Sequence, residues 1–159
     1  MILLNLLAYT HDMTIFEITP NDFTDWLEMA IDLWPEEQPE DMPEILLGLQ
    51  KDPKNKNFIC RSDTDEAIGF INLSIRTDYV EGSDSSPVGY VEGVYVKPAY
   101  RGSGIGKALI KHGETWAKSQ GCQEMGSDAY VDNMQSREFH KKAGFAEAGI
   151  IVAFIKKIE

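Results

Sequence analysis

Cysteine and histidine are scarce in this 159-residue chain, with two and three copies, and no C-x-x-C or other metal-ligand spacing joins them. That pattern excludes a disulfide-stapled scaffold and gives no reason to expect a metal. Cys60 and Cys122 both fall in segments predicted as strands, so they read as buried free thiols of a reducing, cytoplasmic compartment. Positive charge is also short: 15 Lys and Arg against 26 Asp and Glu leave a formal net charge of −11. Such a field repels nucleic-acid phosphates and anionic membrane surfaces, so neither is expected as a partner, and it attracts polycationic small molecules. Repeats, low-complexity tracts and linkers are missing. What is there, 43% hydrophobic residues, suits one domain with a sizeable core.

The opening MILLNLLAYTHD is apolar but short and lacks the basic start and small-residue cleavage site of a signal peptide. Domain-like patterning begins at Met13, so residues 1–12 are expected to be an extension and 13–159 a single domain. Met13–Ile18 reads as a strand, and Thr19 as an N-cap with Pro20 at the first helical position and Asp22 three residues after the cap. Phe23, Trp26, Leu27, Ala30, Ile31 and Trp34 follow at helical spacing up to Pro35. Asp41 and Glu44 suggest a capping box for a short helix through about Gln50. Strands are predicted over Phe58–Ser62 and Ala67–Thr77, joined as a hairpin, with a polar loop at Asp78–Pro87. Helices over Gly104–Gln120 and Met134–Ala143, the second closed by Gly144, alternate with strands at Cys122–Ser127 and Ile150–Ile158. The order β-α-α-β-β-β-α-β-α-β implies an α/β (α+β) fold, a mixed sheet with helices on its faces.

The chain is organised around Gly89–Lys107, GYVEGVYVKPAYRGSGIGK. Its strand is apolar on both sides, with Tyr90, Val94 and Val96 expected to face one way and Val91 and Tyr95 the other, so it is covered on both faces. Glu92 sits inside it. Gly102, Gly104 and Gly106 then open a helix, where bare N–H groups and the helix dipole make an anion site suited to a pyrophosphate, flanked by Arg101 and Lys107. The ATP-type loop fails because Lys107 is followed by Ala108, and the dinucleotide fingerprint fails because the spacing is G-x-G-x-G.

What remains, R-x-x-G-x-G after a V-x-P turn, resembles the acetyl-CoA loop of the GNAT superfamily of N-acetyltransferases. Asn133, Phe139 and the Ala143-Gly144-Phe145 ending extend the likeness over nearly all of Met13–Glu159. The resemblance implies the GNAT acyl-CoA N-acyltransferase fold, a central mixed sheet flanked by helices. It further implies that the backbone of Val94, Tyr95 and Val96 holds the pantetheine arm. Arg101, Gly102, Ser103, Gly104, Ile105, Gly106 and Lys107 would hold the pyrophosphate, with Asn133 a further cofactor contact. Leu33-Trp34-Pro35, Ser74-Ile75-Arg76, Asp78-Tyr79-Val80, Asp84–Val88, Glu92-Gly93 and Met125–Asp128 are similar to blocks of the aminoglycoside 6′-N-acetyltransferases. The likeness is to the chromosomal type of enteric bacteria and Acinetobacter. It implies acetyl-CoA as co-substrate, an antibiotic-resistance activity by direct attack in a ternary complex, a drug site lined by Trp34, Tyr79, Glu92 and Asp128, and a homodimer.

The chemistry of these residue types agrees. Attack on a thioester needs a neutral amine, whereas amino-sugar amines are mostly protonated at neutral pH; a carboxylate can bind the cation and then take its proton. Glu92, a charge in an apolar strand, and Asp128, at the end of the neighbouring strand, are the candidates, one as base and the other as anchor. Arg76 is a plausible internal partner for Glu92. Trp34 and Tyr79 can stack on sugar rings and contact ammonium groups. Many GNAT enzymes place an acidic tyrosine where His140 stands, so His140 is a substitute acid, a cofactor contact or a packed helix residue. His112 reads as core edge, and Cys122 has no base beside it to make it a nucleophile. Two alternatives keep the glycine loop: the same transfer to another small amine or a protein N-terminus, and a non-catalytic acyl-CoA-binding module.

Overall fold

The computed structural model describes residues 13–158; the expectation about residues 1–12 lies outside them. Five strands form one sheet in the order β1-β2-β3-β4-β5. They are β1 (Thr14–Glu17), β2 (Asn55–Arg61), β3 (Ala67–Arg76), β4 (Val88–Val96) and β5 (Met125–Ser127). The first four are antiparallel neighbours and β5 joins β4 in parallel, so the mixed sheet stands as read. The middle strand, β3, is buried without a break from Ala67 to Ser74, the mark of a strand covered on both faces.

Helices α1 (Phe23–Leu33) and α2 (Met42–Lys51) cover one face. Trp26, Met29, Ala30, Met42 and Leu46 pack there on Ile59, Phe70 and Tyr95. Helix α3 (Ile105–Ser119) covers the other, with Ile105, Leu109 and Ile110 against Ile71, Leu73 and Val91; Phe139 of α4 (Met134–Lys142) packs beside them. The entry to α1 follows its sequence signal. Thr19 donates through both N–H and hydroxyl to Asp22 Oδ2, at 2.9 and 2.7 Å, and Pro20 opens a 3-10 turn that runs into the helix. Asp22 also receives Arg61 of β2 at 2.8 Å, which ties that turn to the sheet.

Several expectations need correction. Helix α2 has no side-chain cap hydrogen bond, so Asp41 and Glu44 form no capping box. β5 starts at Met125, which leaves Cys122 buried but outside the strand. The facing along β4 is not a simple alternation. Asn72 pairs with Gly93 and Leu73 with Val91, so Glu92 is an extra, bulged residue. The bulge reverses parity: Val91 shares the α3 side with Val94 and Val96, while Tyr95 faces α1. Ile150–Ile158 belongs to no strand; Ile150, Ile151, Val152, Phe154, Ile155 and Ile158 are 73–99% exposed. Alternation supplies only half of what a strand requires, and the other half, a neighbour to pair with, is missing within this chain's described residues.

Candidate active site

β4 and β5 form a fork. Parallel pairing joins Gly89–Val91 to Met125–Ser127 and stops there, while β4 runs on to Val96. Beyond Val91 the β5-facing edge of β4 therefore has no strand partner among the described residues, and the Val94 backbone groups, which alternation turns to that edge, are available to an extended ligand, whereas those of Tyr95 face β3. The bulge at Glu92 falls at this point.

The Glu92 carboxylate is held by two side chains of β3. Ser74 Oγ donates to Oε1 in a short bond, and the Arg76 guanidinium reaches both oxygens, at 2.9 and 3.0 Å from Nη2 and 3.2 Å from Nε. Arg76 also lies over the Tyr90 ring, 3.3 Å from its centroid. The Tyr90 hydroxyl in turn donates to Asp128 Oδ1 at 2.7 Å. Burial first, and the Asp128 carboxylate second, push that phenol well above its usual range, so it stays a donor at any physiological pH. The two candidate carboxylates are thus ends of one chain, Glu92–Arg76–Tyr90–Asp128, spanning the prongs of the fork.

Trp34 is brought to the same place. It caps the end of α1, and its ring presses so closely on the bulge that a Cβ on Gly93 would lie 2.5 Å from Cζ2. Glycine is required there by contact rather than by conformation. Tyr79 stands apart: it is 77% exposed, its hydroxyl reaches only Glu81 at 3.4 Å, and it lines a separate hollow of about 330 Å³ with Thr77, Asp78 and Ser83–Ser86. That loop is pinned by Glu124, which accepts the Asp84 N–H at 3.0 Å and the Ser85 hydroxyl.

At the α3 entrance the glycines have different reasons. Gly102 and Gly104 have φ of +78° and +89° and open space where a Cβ would point, whereas a Cβ on Gly106 would sit 2.7 Å from the Phe139 ring. The first two shape an accessible turn; the third lets α4 close on α3. Arg101 Nε donates to Val96 O at 2.8 Å, fastening the loop to the end of β4, with its guanidinium 5.6 Å from the Tyr95 ring. Gly102, Ser103, Gly104 and Lys107 are exposed. Lys107, Ala108, Ile110, Lys111, Glu114 and Ala143 with Gly104 line a hollow of about 310 Å³ between α3 and α4. The turn's free N–H groups and a nearby lysine fit an anionic group such as a pyrophosphate. Asn133 caps α4, its side chain accepting Ser136 N–H at 3.0 Å.

His140 lies on α4 with Nδ1 2.7 Å from Ser136 O and Nε2 2.8 Å from Ser127 Oγ. His112 stacks edge-on to Phe58 at 4.5 Å, at the core edge as expected. Burial raises the thiols of Cys60, to about 11, and of Cys122, which makes both poor nucleophiles. Among the described residues no three His, Cys, Asp or Glu side chains converge as metal ligands, and no helix is long and apolar enough to cross a membrane. Ser74, Tyr90 and Ser127 carry no role in the sequence reading, and neither does Asn72, whose carboxamide is 1% exposed with both polar atoms unpartnered. The one available signal was period two along β3, which places Asn72, Ser74 and Arg76 on a single face.

Known proteins share this fold. The model of the acetyltransferase (GNAT) family matches residues 23–145. An aminoglycoside N(6′)-acetyltransferase type 1 of Stenotrophomonas maltophilia is 36% identical over 92% of this chain and 94% of its own length. One from Acinetobacter genomosp. 13 is 39% identical over 92% and 99%. The apo crystal structure of an aminoglycoside 6′-N-acetyltransferase of Acinetobacter haemolyticus superposes with a TM-score of 0.88 at 37% identity, covering 92% of this chain and 99% of that one. Another enzyme, AAC(6′)-Iy, solved with the bisubstrate analogue CoA-S-monomethyl-acetylneamine, gives a TM-score of 0.86 at 33% identity over the same shares.

Proposed function

This chain belongs to the GNAT family of acetyltransferases, and from that premise we propose that it moves the acetyl group of acetyl-CoA to the 6′-amine of an aminoglycoside, conferring resistance. The observation that carries the substrate class is the chain Glu92–Arg76–Tyr90–Asp128 at the fork, two carboxylates linked through a cation and a phenol, in a protein of net charge −11. A polyamine drug can take over the place Arg76 holds between them. We read residues 13–159 as one GNAT domain and its working place as the cytoplasm, where acetyl-CoA is made.

In this reading acetyl-CoA supplies the activated acetyl group. The α3 entrance, Arg101–Lys107, receives its diphosphate, the β4 edge at Val94, Tyr95 and Val96 its pantetheine arm, and Asn133 a further contact. Trp34 gives the drug apolar and π surface beside Glu92, and Tyr79, on its separate exposed loop, gives the same to the part of the drug that extends past the fork. Glu92 serves as the anchor, because Ser74 and Arg76 already occupy its oxygens. Asp128 serves as the base: it is exposed and takes a single bond, from Tyr90. His140 stands on the leaving-group side.

A homodimer completes the reading. Glu147 anchors the tail to Arg137 at 2.7 Å, and Ala148 crosses Gly82, after which six large apolar side chains project into water. Burying such a side chain is worth about 2 kcal/mol, so their covering by another surface is strongly favoured. Among the described residues the outer side of β5 is an open sheet edge, and a second copy of Ile150–Ile158 is the occupant we assign to it.

CoA release measured with tobramycin or kanamycin, against spermidine and peptides, tests the activity. Turnover confined to the drugs supports it. Preference for another amine, or binding of acetyl-CoA without any turnover, replaces it with one of the two alternatives.

A further inference from the structure

Ser127 ends β5 at the apex of the fork, opposite Val91 and one residue before Asp128. Its hydroxyl is 2.8 Å from His140 Nε2 and 3.4 Å from Val91 O. The imidazole is held firmly. Its Nδ1 lies 2.7 Å from the Ser136 carbonyl oxygen, with Ser136 Oγ at 3.3 Å, and its ring stands edge-on to Phe139 and Phe145 at 5.5 and 5.4 Å. A carbonyl oxygen can only accept, so Nδ1 carries a proton whatever the charge of the ring. All remaining freedom is at Nε2. In the neutral ring Nε2 accepts the Ser127 hydroxyl proton; in the imidazolium it donates to Ser127 Oγ and turns that hydroxyl outward. There its in-protein acceptor is Val91 O, at a distance too long for a strong bond. One proton at one atom thus decides whether the serine offers its hydrogen to the fork.

We propose that Ser127 is a catalytic residue of the acetyl transfer, handing the His140 proton to the departing CoA sulfur. The proposal rests on the acetyl-transfer reading above. As the amine nitrogen bonds to the acetyl carbon and the carbon–sulfur bond breaks, the sulfur takes the Ser127 hydroxyl proton. Ser127 Oγ is re-protonated from Nε2 of the imidazolium, which becomes the neutral ring with its other proton kept on Nδ1 and donated to Ser136 O. The surplus proton of the amine leaves on Asp128, and solvent restores the imidazolium. The acid and base arms run on neighbouring residues of one strand end, Ser127 and Asp128, whose side chains have separate partners, His140 and Tyr90. His140 then never has to reach the sulfur itself, which matters for a ring immobilised by two aromatic neighbours and its own helix carbonyl.

The rival role for the pair is a clamp joining α4 to β5. Single-turnover acetylation of tobramycin, with acetyl-CoA affinity by calorimetry and melting temperature, separates the two in Ser127→Ala, Ser127→Thr, His140→Gln and the double variant Ser127→Ala/His140→Gln. Glutamine can hold a hydrogen bond to Ser127 but cannot release a proton. Expected are losses of about 10- to 100-fold in rate for Ser127→Ala and for His140→Gln, acetyl-CoA affinity within about two-fold, a double variant no slower than His140→Gln, and near-full rate in Ser127→Thr. An unimpaired Ser127→Ala, or rate restored by His140→Gln, overturns the relay while leaving the acetyl-transfer reading intact. A wild type that binds acetyl-CoA but acetylates no drug overturns both.

Discussion

Glu92 carries its charge at the only bulge of β4 and meets three donors, so a bound drug ammonium must compete with a partner already in place. The Arg76–Glu92 pair is 41% and 29% exposed, which limits its contribution to stability to under about 1 kcal/mol. Replacing Arg76 by Gln should therefore change the melting temperature little. It should lower the KM for tobramycin several-fold by clearing Glu92 for the substrate; a raised KM would make Arg76 part of the drug site. Asp128→Ala and Glu92→Ala should differ in kind. The first lowers kcat about 100-fold with KM nearly kept, the second raises KM as well, and both leave calorimetric acetyl-CoA affinity within two-fold. Equal loss of cofactor binding would assign these carboxylates to the scaffold.

At the scale of elements, the knot that starts α1 makes a second kind of prediction. Arg61 bridges Asp22 and Asp25 at 2.8 and 2.7 Å, with side chains 13%, 7% and 42% exposed. Burial works against the charge on Asp22, but the bonds from Arg61 and Thr19 outweigh it and hold this carboxyl below the usual range. A group depressed in the folded state contributes stability above its unfolded value, near 4, and loses it as pH falls through the folded one. Asp22→Asn should cost about 3 kcal/mol at pH 7. The gap in melting temperature to wild type should narrow between about pH 5 and pH 3; a constant gap would place the cost elsewhere. This knot was half legible: Thr19, Pro20 and Asp22 announce a cap at fixed local spacing, but nothing local names Arg61, thirty-nine residues on, as the third partner. The same limit governs the site. The glycine loop and Glu92 are read from one continuous stretch, and Asp128 from a strand end. The bulge that aims Glu92, the Tyr90 bond and the His140–Ser127 contact depend on register between strands, which alternation along one strand cannot encode. Asp41 and Glu44 fail oppositely, having the right letters at the right spacing without the side-chain bond.

For the whole molecule, charge and the tail act together. A net charge of −11 should steer a polycation inward, so kcat/KM for tobramycin should fall severalfold as salt rises from about 0.02 to 0.2 M, while the KM for the anionic acetyl-CoA improves. Parallel trends for the two substrates would mean that local contacts override the overall field. The same charge opposes association of two copies, and the tail is what can overcome it: a segment of nine residues, Ile150–Ile158, with six large apolar side chains and the two cations Lys156 and Lys157 set against an acidic body. If these residues cross to the β5 edge of a second copy, light scattering on the full chain gives twice the 17.9 kDa chain mass. The substitutions Ile151→Lys and Ile155→Lys together should return the single mass without unfolding, because the two side chains are 75% and 99% exposed on their own chain. Should the full chain itself run as a monomer at micromolar concentration, the exchange is wrong, and the sheet of each copy ends at Met125–Ser127 with its edge in water.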